Sequence, residues 1–183
     1  MKSLKVIVAL VLIVQIGQAQ KYFSKNAVLK FHSDSPMEKI EAVNSTASTV
    51  FDLASGKIEF AALNNAFVFE KALMQDHFNE NYMESTKFPK TVFKGTIQDV
   101  AKLNLAVAGT YKVMIQGDMI MHGVTKSMTV PAEFVVDSKG IHANTKFTVK
   151  CSDFDIKIPA VVKNNVSNEV AITVKVDYNP LNL

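Results

Sequence analysis

Four histidines supply most of what this chain could use for acid-base or metal chemistry: His32, His77, His122 and His142. His77 follows Asp76, which suggests a base beside its orienting acid. Neighbours on a helix project about 100° apart, however, and do not face each other. His32, His122 and His142 fall on the polar parities of separate expected strands, and no H-x-x-x-H or H-x-H spacing pre-forms a metal site. No G-x-S-x-G run is present, and no Cys/His pair is indicated by pattern. Cys151 is the single cysteine, so it forms no internal disulfide and reads as a small buried apolar residue. His77 and His122 are therefore expected to be structural, pinning a helix and a strand corner through hydrogen bonds. Catalysis by either is the weaker alternative, and the chain is expected to be neither an enzyme nor a metalloprotein.

The elements that position these residues are almost all strands. Lys21 to Ser24, Val28 to Ser33, Lys39 to Asn44, Thr46 to Leu53 and Lys57 to Leu63 alternate or read as extended, with turn clusters at Ser33-Asp34-Ser35-Pro36 and Ser55-Gly56. The hydrophobic period then changes. From Lys71 to Tyr82 apolar side chains fall at Leu73, Met74, Phe78 and Tyr82, a row that one face of a helix can bury. Pro89 ends that pattern and stands at the mouth of a strand from Thr91 to Asp99. In the C-terminal half the alternation is cleaner. The long strand Gly109 to His122 carries Gly117, read as a bulge or sharp bend. It is followed by Thr125 to Val136, a hairpin loop at Asp137 to Gly140, an inward row from Ile141 to Cys151, a polar loop at Asn164 to Asn168, and a last strand through Val170, Ile172, Val174, Val176 and Tyr178. Strands apolar on one face only, at hairpin spacing and with one helix, predict an antiparallel sheet curled into a barrel of about eight strands, the helix covering an end or an edge. A β-sandwich with a filled core is the alternative.

Residues 1–19 combine Lys2 and Lys5, the apolar run Val6 to Ile16 and the small-x-small site Gly17-Gln18-Ala19, the layout of a cleaved secretory signal. The apolar run is shorter than the roughly 20 residues a membrane span requires. Gln20 rather than a lipid-modifiable cysteine follows, so the expected product is residues 20–183, periplasmic or secreted, with no stable membrane anchor. Loss of Lys2 and Lys5 takes the formal net charge from +3 to +1. All 20 basic residues are lysines, and without guanidinium forks for phosphate or guanine nucleic-acid binding is disfavoured. Asn44-Ser45-Thr46 and Asn165-Val166-Ser167 match the glycosylation pattern, which matters only in a host that glycosylates.

Several segments together resemble one family. Asp76-His77, Lys87-Phe88-Pro89 and Val92-Phe93-Lys94 are similar to the middle signature of the YceI-like secreted bacterial proteins. Gly117 to Lys126 with Met128-Thr129-Val130-Pro131, then Ser152 to Ile156, then Glu169 to Pro180 are similar to its later ones. The chain departs from that pattern where Asp76 directly precedes His77, where Ser127 replaces a frequent proline, and where Asp155 replaces a frequent glycine. The resemblance implies an extended lipocalin-like barrel whose tunnel holds an isoprenoid or other amphiphilic lipid, with no other cofactor. The inward-facing set Phe31, Phe60, Phe93, Ile115, Met119, Met121, Phe134 and Phe147 is the expected lining of such a tunnel. From the stripes alone a collapsed core made of the same side chains is the commoner outcome, and would fit an envelope interaction module. The composition of 12 phenylalanines and 8 methionines without tryptophan suits a greasy ligand of loosely fixed shape. A homodimer is left open.

Overall fold

The computed structural model describes residues 20–34, 39–162 and 166–181. The expected signal segment 1–19, Ser35 and Pro36 of the expected turn, and Asn164 and Asn165 of the expected polar loop lie outside the described residues. Among the described residues nine strands form one antiparallel sheet: β1 (Lys21–Asp34), β2 (Lys39–Asp52), β3 (Lys57–Leu63), the two-residue β4 (Val68–Phe69), β5 (Lys90–Ile97), β6 (Gly109–Met121), β7 (Val124–Asp137), β8 (Gly140–Lys150) and β9 (Glu169–Leu181). The order β1-β9-β8-β7-β6-β5-β3-β2 is closed by a β1–β2 ladder, making a barrel of eight strands, while β4 pairs only with Ala42 and Val43 of β2.

β1 and β2 were each expected as two short strands, and each is one long strand. Between Ser24 and Ala27 β1 carries an extra residue against β2, and between Ala47 and Asn44 β2 carries one against β1, so the two bulges cancel. Each reverses the inward parity of its strand. The buried residues of β1 change from Tyr22 and Ser24 to Ala27 and Leu29, and those of β2 from Phe51, Thr49 and Ala47 to Asn44 and Ala42. Asn44 borders the second bulge: its amide donates to the Leu63 carbonyl at 2.9 Å and its side-chain oxygen accepts from the Thr46 backbone N–H at 2.9 Å. It is fully buried, which removes it as a glycan acceptor.

Gly117 does not mark a bulge, because the β5–β6 register runs unbroken from Val92↔Ile120 to Ile97↔Ile115. It sits directly opposite Gly95, and a Cβ at Gly117 would overlap the Lys94 carbonyl oxygen and the Gly95 Cα. The backbones of β5 and β6 approach closely at this pair, which leaves no room for a side chain at Gly117. The helix is also shorter than expected. α1 (Ala72–His77) passes into a π-helical turn at Phe78–Tyr82. Met74, Phe78 and Tyr82 pack onto the core, whereas Leu73 stays 65% exposed.

One end of the barrel is filled by aromatic rings. Phe51 lies 5.5 Å from Phe134 and 6.1 Å from both Tyr22 and Tyr178, and Phe134 stacks on Tyr178 at 6.1 Å. The Tyr178 hydroxyl meets that of Thr49 at 3.3 Å. Burial pushes the Tyr178 phenol up to about 12, the Thr49 hydrogen bond opposing slightly. A phenol whose pKa is raised in the folded state contributes stability that is complete below its unfolded value near 10 and is lost as pH rises toward the folded value. About 2–3 kcal/mol should therefore disappear between about pH 10 and 12. Alkaline unfolding curves of wild type and Tyr178→Phe check this. The variant should lack that part of the decline, and parallel curves would show that Tyr178 is not its source.

Candidate functional site

Toward the other end the barrel is hollow. A cavity of about 570 Å³ runs from the Phe134–Tyr178 stack to the side covered by α1, its wall almost entirely apolar. All eight residues of the expected lining face it. Phe60, Phe93 and Met119 form one row across β3, β5 and β6. Phe31 and Phe147 flank Ile172 across β1, β9 and β8. Ile115 lies deeper, opposite Val130, Met121 ends β6, and Phe134 belongs at once to the cavity wall and to the packed end.

The elements around α1 add Phe67, Phe69 and Phe78 to the expected lining. Phe31, Phe67, Phe69 and Phe78 form a cluster with centroids 5.1 to 5.5 Å apart. Phe67 and Phe69 precede the helix in the short apolar run Ala66-Phe67-Val68-Phe69, which carries no period to mark which side chains face inward. Phe78 was legible as a buried helical residue, though not as a cavity wall. The cavity also meets a few polar groups. Asn64, fully buried, donates to the Phe88 carbonyl at 2.7 Å and accepts from the Thr91 hydroxyl at 2.9 Å. The Ser33 hydroxyl is buried with no hydrogen-bond partner among the described residues. Cys151 opens a 3-10 turn (Cys151–Phe154) rather than extending β8. It is half-buried on the cavity wall, with its thiol pushed up by burial. Burial and then the nearby Cys151 raise the Tyr82 phenol. Both groups are thus held uncharged at neutral pH, as an apolar cavity requires.

The histidines separate into different roles. His122 and Gly123 form the two-residue β6–β7 turn with φ of 51° and 78°, the hairpin geometry that favours glycine. A side chain at Gly123 would also strike the Phe88 ring, its Cβ only 2.6 Å from Cε1. The His122 ring, 10% exposed, has Nε2 2.8 Å from a Glu84 carboxylate oxygen and Nδ1 3.0 Å from the Phe154 carbonyl. Its edge meets Phe88 with centroids 4.7 Å apart. It ties three segments together through these contacts, the pinning role expected of it. Asp155, just beyond, takes φ 54°, a conformation that favours glycine and that aspartate tolerates. His77 differs from the expectation: it is exposed on the cavity rim with no hydrogen-bond partner among the described residues. His32 and His142 face outward against Glu41 at 3.1 Å and Asp177 at 2.6 Å. His122→Ala should lower stability by about 1–3 kcal/mol through the lost buried bonds, while His77→Ala should stay within about 0.5 kcal/mol of wild type. Urea unfolding measures both, and equal losses would contradict this division. Among the described residues no group of three or more His, Cys, Asp or Glu is placed to hold a metal ion.

Comparison with known proteins matches residues 20–178 to the YceI-like domain. A UPF0312 protein of Shewanella denitrificans is 28% identical over 115 residues, 58% of this chain and 56% of that relative, so the match spans about half the length of the curated relative. Among solved structures, a polyisoprenoid-binding domain from Saccharophagus degradans implicated in plant cell wall breakdown superposes with a TM-score of 0.75 at 14% identity, covering 89% of this chain and 99% of that one. BcnA of Burkholderia cenocepacia gives 0.68 at 17% identity over 81% and 94%. The Campylobacter jejuni YCEI protein gives 0.55 at 15% identity over the whole of both chains. At these identities the structures establish a shared fold.

Proposed function

This chain belongs to the YceI-like domain family, and on that premise we propose that it binds an isoprenoid or another long, mainly apolar lipid inside the barrel, storing or carrying it in the periplasm or outside the cell. The observation that carries this reading is the apolar cavity. Left as a packing defect, about 570 Å³ at about 24 cal/mol per Å³ would cost on the order of 10 kcal/mol, comparable to the whole stability of a domain. A filled-core interaction module has no reason to keep such a void, whereas a binding protein recovers the missing contacts from its ligand. Its size falls within the range of about 300–1,000 Å³ common for ligand pockets. The polyisoprenoid-binding character of the Saccharophagus degradans domain supports the choice of ligand class.

An enzyme reading finds less support. Both ring nitrogens of His122 are engaged by Glu84 and Phe154, and His77 stands on the rim without an orienting partner among the described residues. The test is native mass spectrometry, with lipid extraction, of protein purified from its own host. A prenyl-type lipid released from the folded species is expected. Protein that is uniformly ligand-free on isolation and takes up no prenyl lipid overturns the proposal. N-terminal sequencing of the same material should begin at Gln20, and retention of Met1 in a membrane fraction would overturn the proposed location.

A further inference from the structure

The barrel wall is not continuous. β7 pairs with β6 along its length, from Val124↔Met121 to Val136↔Gly109, and β8 pairs with β9 from Ile141↔Tyr178 to Lys150↔Glu169. Between them, however, the β7–β8 ladder covers only Glu133↔Asn144 to Asp137↔Gly140. The stretches Val124 to Ala132 of β7 and Thr145 to Lys150 of β8 therefore have a ladder on one side only. Pro131 explains where the pairing stops. Its carbonyl accepts from the Thr145 hydroxyl at 2.6 Å and so points toward β8. In a strand the N–H and C=O of one residue point the same way, so the donor that proline lacks is missing on the β8 side. Toward the rim the seam is bridged again by the Lys126–Asp153 ion pair and by the His122–Phe154 hydrogen bond.

Outside this seam lies a groove lined by Lys112, Met114, Pro131, Glu133, Lys146 and Lys175, among others. Ala132, Asn144 and Thr145 border both the groove and the interior cavity, so where the ladder ends only this one layer of wall separates the two. The groove has apolar and charged parts. Met114, 42% exposed, and Pro131 offer apolar surface beside the seam. Among its charges, Lys102 is paired with Asp99 at 2.7 Å. Lys112, Lys146 and Lys175 make no ion pair among the described residues, and Glu133 is the one carboxylate left among them, for a local balance of about two positive charges.

We propose that this groove is a head-group subsite: the ligand's chain lies in the cavity, passes the β7–β8 seam beside Thr145, and presents an anionic head, a phosphate or a carboxylate, to Lys112, Lys146 and Lys175. The inference rests on the lipid-binding reading above and adds the polarity and position of the head. A ligand so placed leaves its apolar part out of water and keeps its charge in solvent, where lysines interact with it at little desolvation cost.

The test compares geranylgeranyl phosphate with geranylgeraniol, which share a chain and differ in the head, and adds inorganic phosphate alone. Equilibrium binding to the mature protein is measured at fixed salt. Wild type should bind the phosphate about tenfold or more tighter than the alcohol. Lys146→Gln combined with Lys175→Gln, at exposed positions that leave the fold intact, should reduce that preference to about twofold or less, and Glu133→Gln should enlarge it. Inorganic phosphate should bind too weakly to compete. Equal affinity of wild type for the two prenyl compounds, an undiminished preference in the double variant, or competition by inorganic phosphate at the same concentration as the prenyl phosphate overturns the subsite while leaving the cavity reading standing. Binding of neither prenyl compound overturns both.

Discussion

Phe134→Ala is expected to lower the stability of the ligand-free barrel by about 3–5 kcal/mol and yet leave lipid binding measurable. Phe134 is fully buried, 5.5 Å from Phe51 and stacked on Tyr178 at an interplanar angle of 9°. Its ring belongs both to the packed end and to the cavity wall. Deleting it removes contacts at the packed end and extends the void, and neighbours held in β-ladders on both sides have little freedom to collapse into the space. Lining the cavity and packing the end are not exclusive at this position. Chemical denaturation with and without prenyl lipid separates the effects. A loss below about 1 kcal/mol would mean that the aromatic end is not the anchor of the fold, and a loss of all lipid response would mean that Phe134 is a ligand contact above all.

The strands of the C-terminal half were legible because nothing interrupts their period. Val113, Ile115 and Met119 share one parity on β6, and Val174, Val176 and Tyr178 share another on β9, and these six are buried. The N-terminal half was harder to read. Extra residues after Ser24 and after Asn44 reverse the parity within β1 and β2, so a local scan breaks each into two. The cavity wall followed from the inward parities, since a wall and a core draw on the same side chains. That the interior is hollow did not, because a void depends on the summed volume of side chains from every strand. The seam was hidden for a similar reason. Local period shows that β7 and β8 are strands but not how far they pair, and Pro131 was its only sign in the sequence. Gly95 and Gly117 are equally a property of two strands rather than one. The contrast between His77 and His122 depends on which segments fold back to meet each ring, and only His122 is met, by Glu84 and Phe154.

Adding prenyl lipid should raise the melting temperature of the wild-type protein by about 5–10 °C, and Met119→Lys should abolish that rise. A ligand that binds only the folded state stabilises it by RT ln(1 + [L]/Kd), about 2.7 kcal/mol at a concentration one hundred times Kd, and a domain of this size gains about 2–4 °C per kcal/mol. Met119 stands in mid-wall opposite Phe93, with Phe60 beyond, and is 8% exposed. Lysine there reaches into the space a lipid chain would fill. In the ligand-free protein its ammonium enters a cavity with room for water rather than a close-packed interior, so the variant should fold and melt only modestly below wild type. With lipid present the same ammonium would have to be stripped of water against hydrocarbon, which cancels the affinity. A filled core predicts the opposite on both counts: no response of wild type to lipid, and outright unfolding of Met119→Lys by an unpaired buried charge. Melting curves of both proteins, each with and without prenyl lipid, distinguish the two interiors, and a lipid response retained in full by the variant would place the ligand away from the row formed by Phe60, Phe93 and Met119.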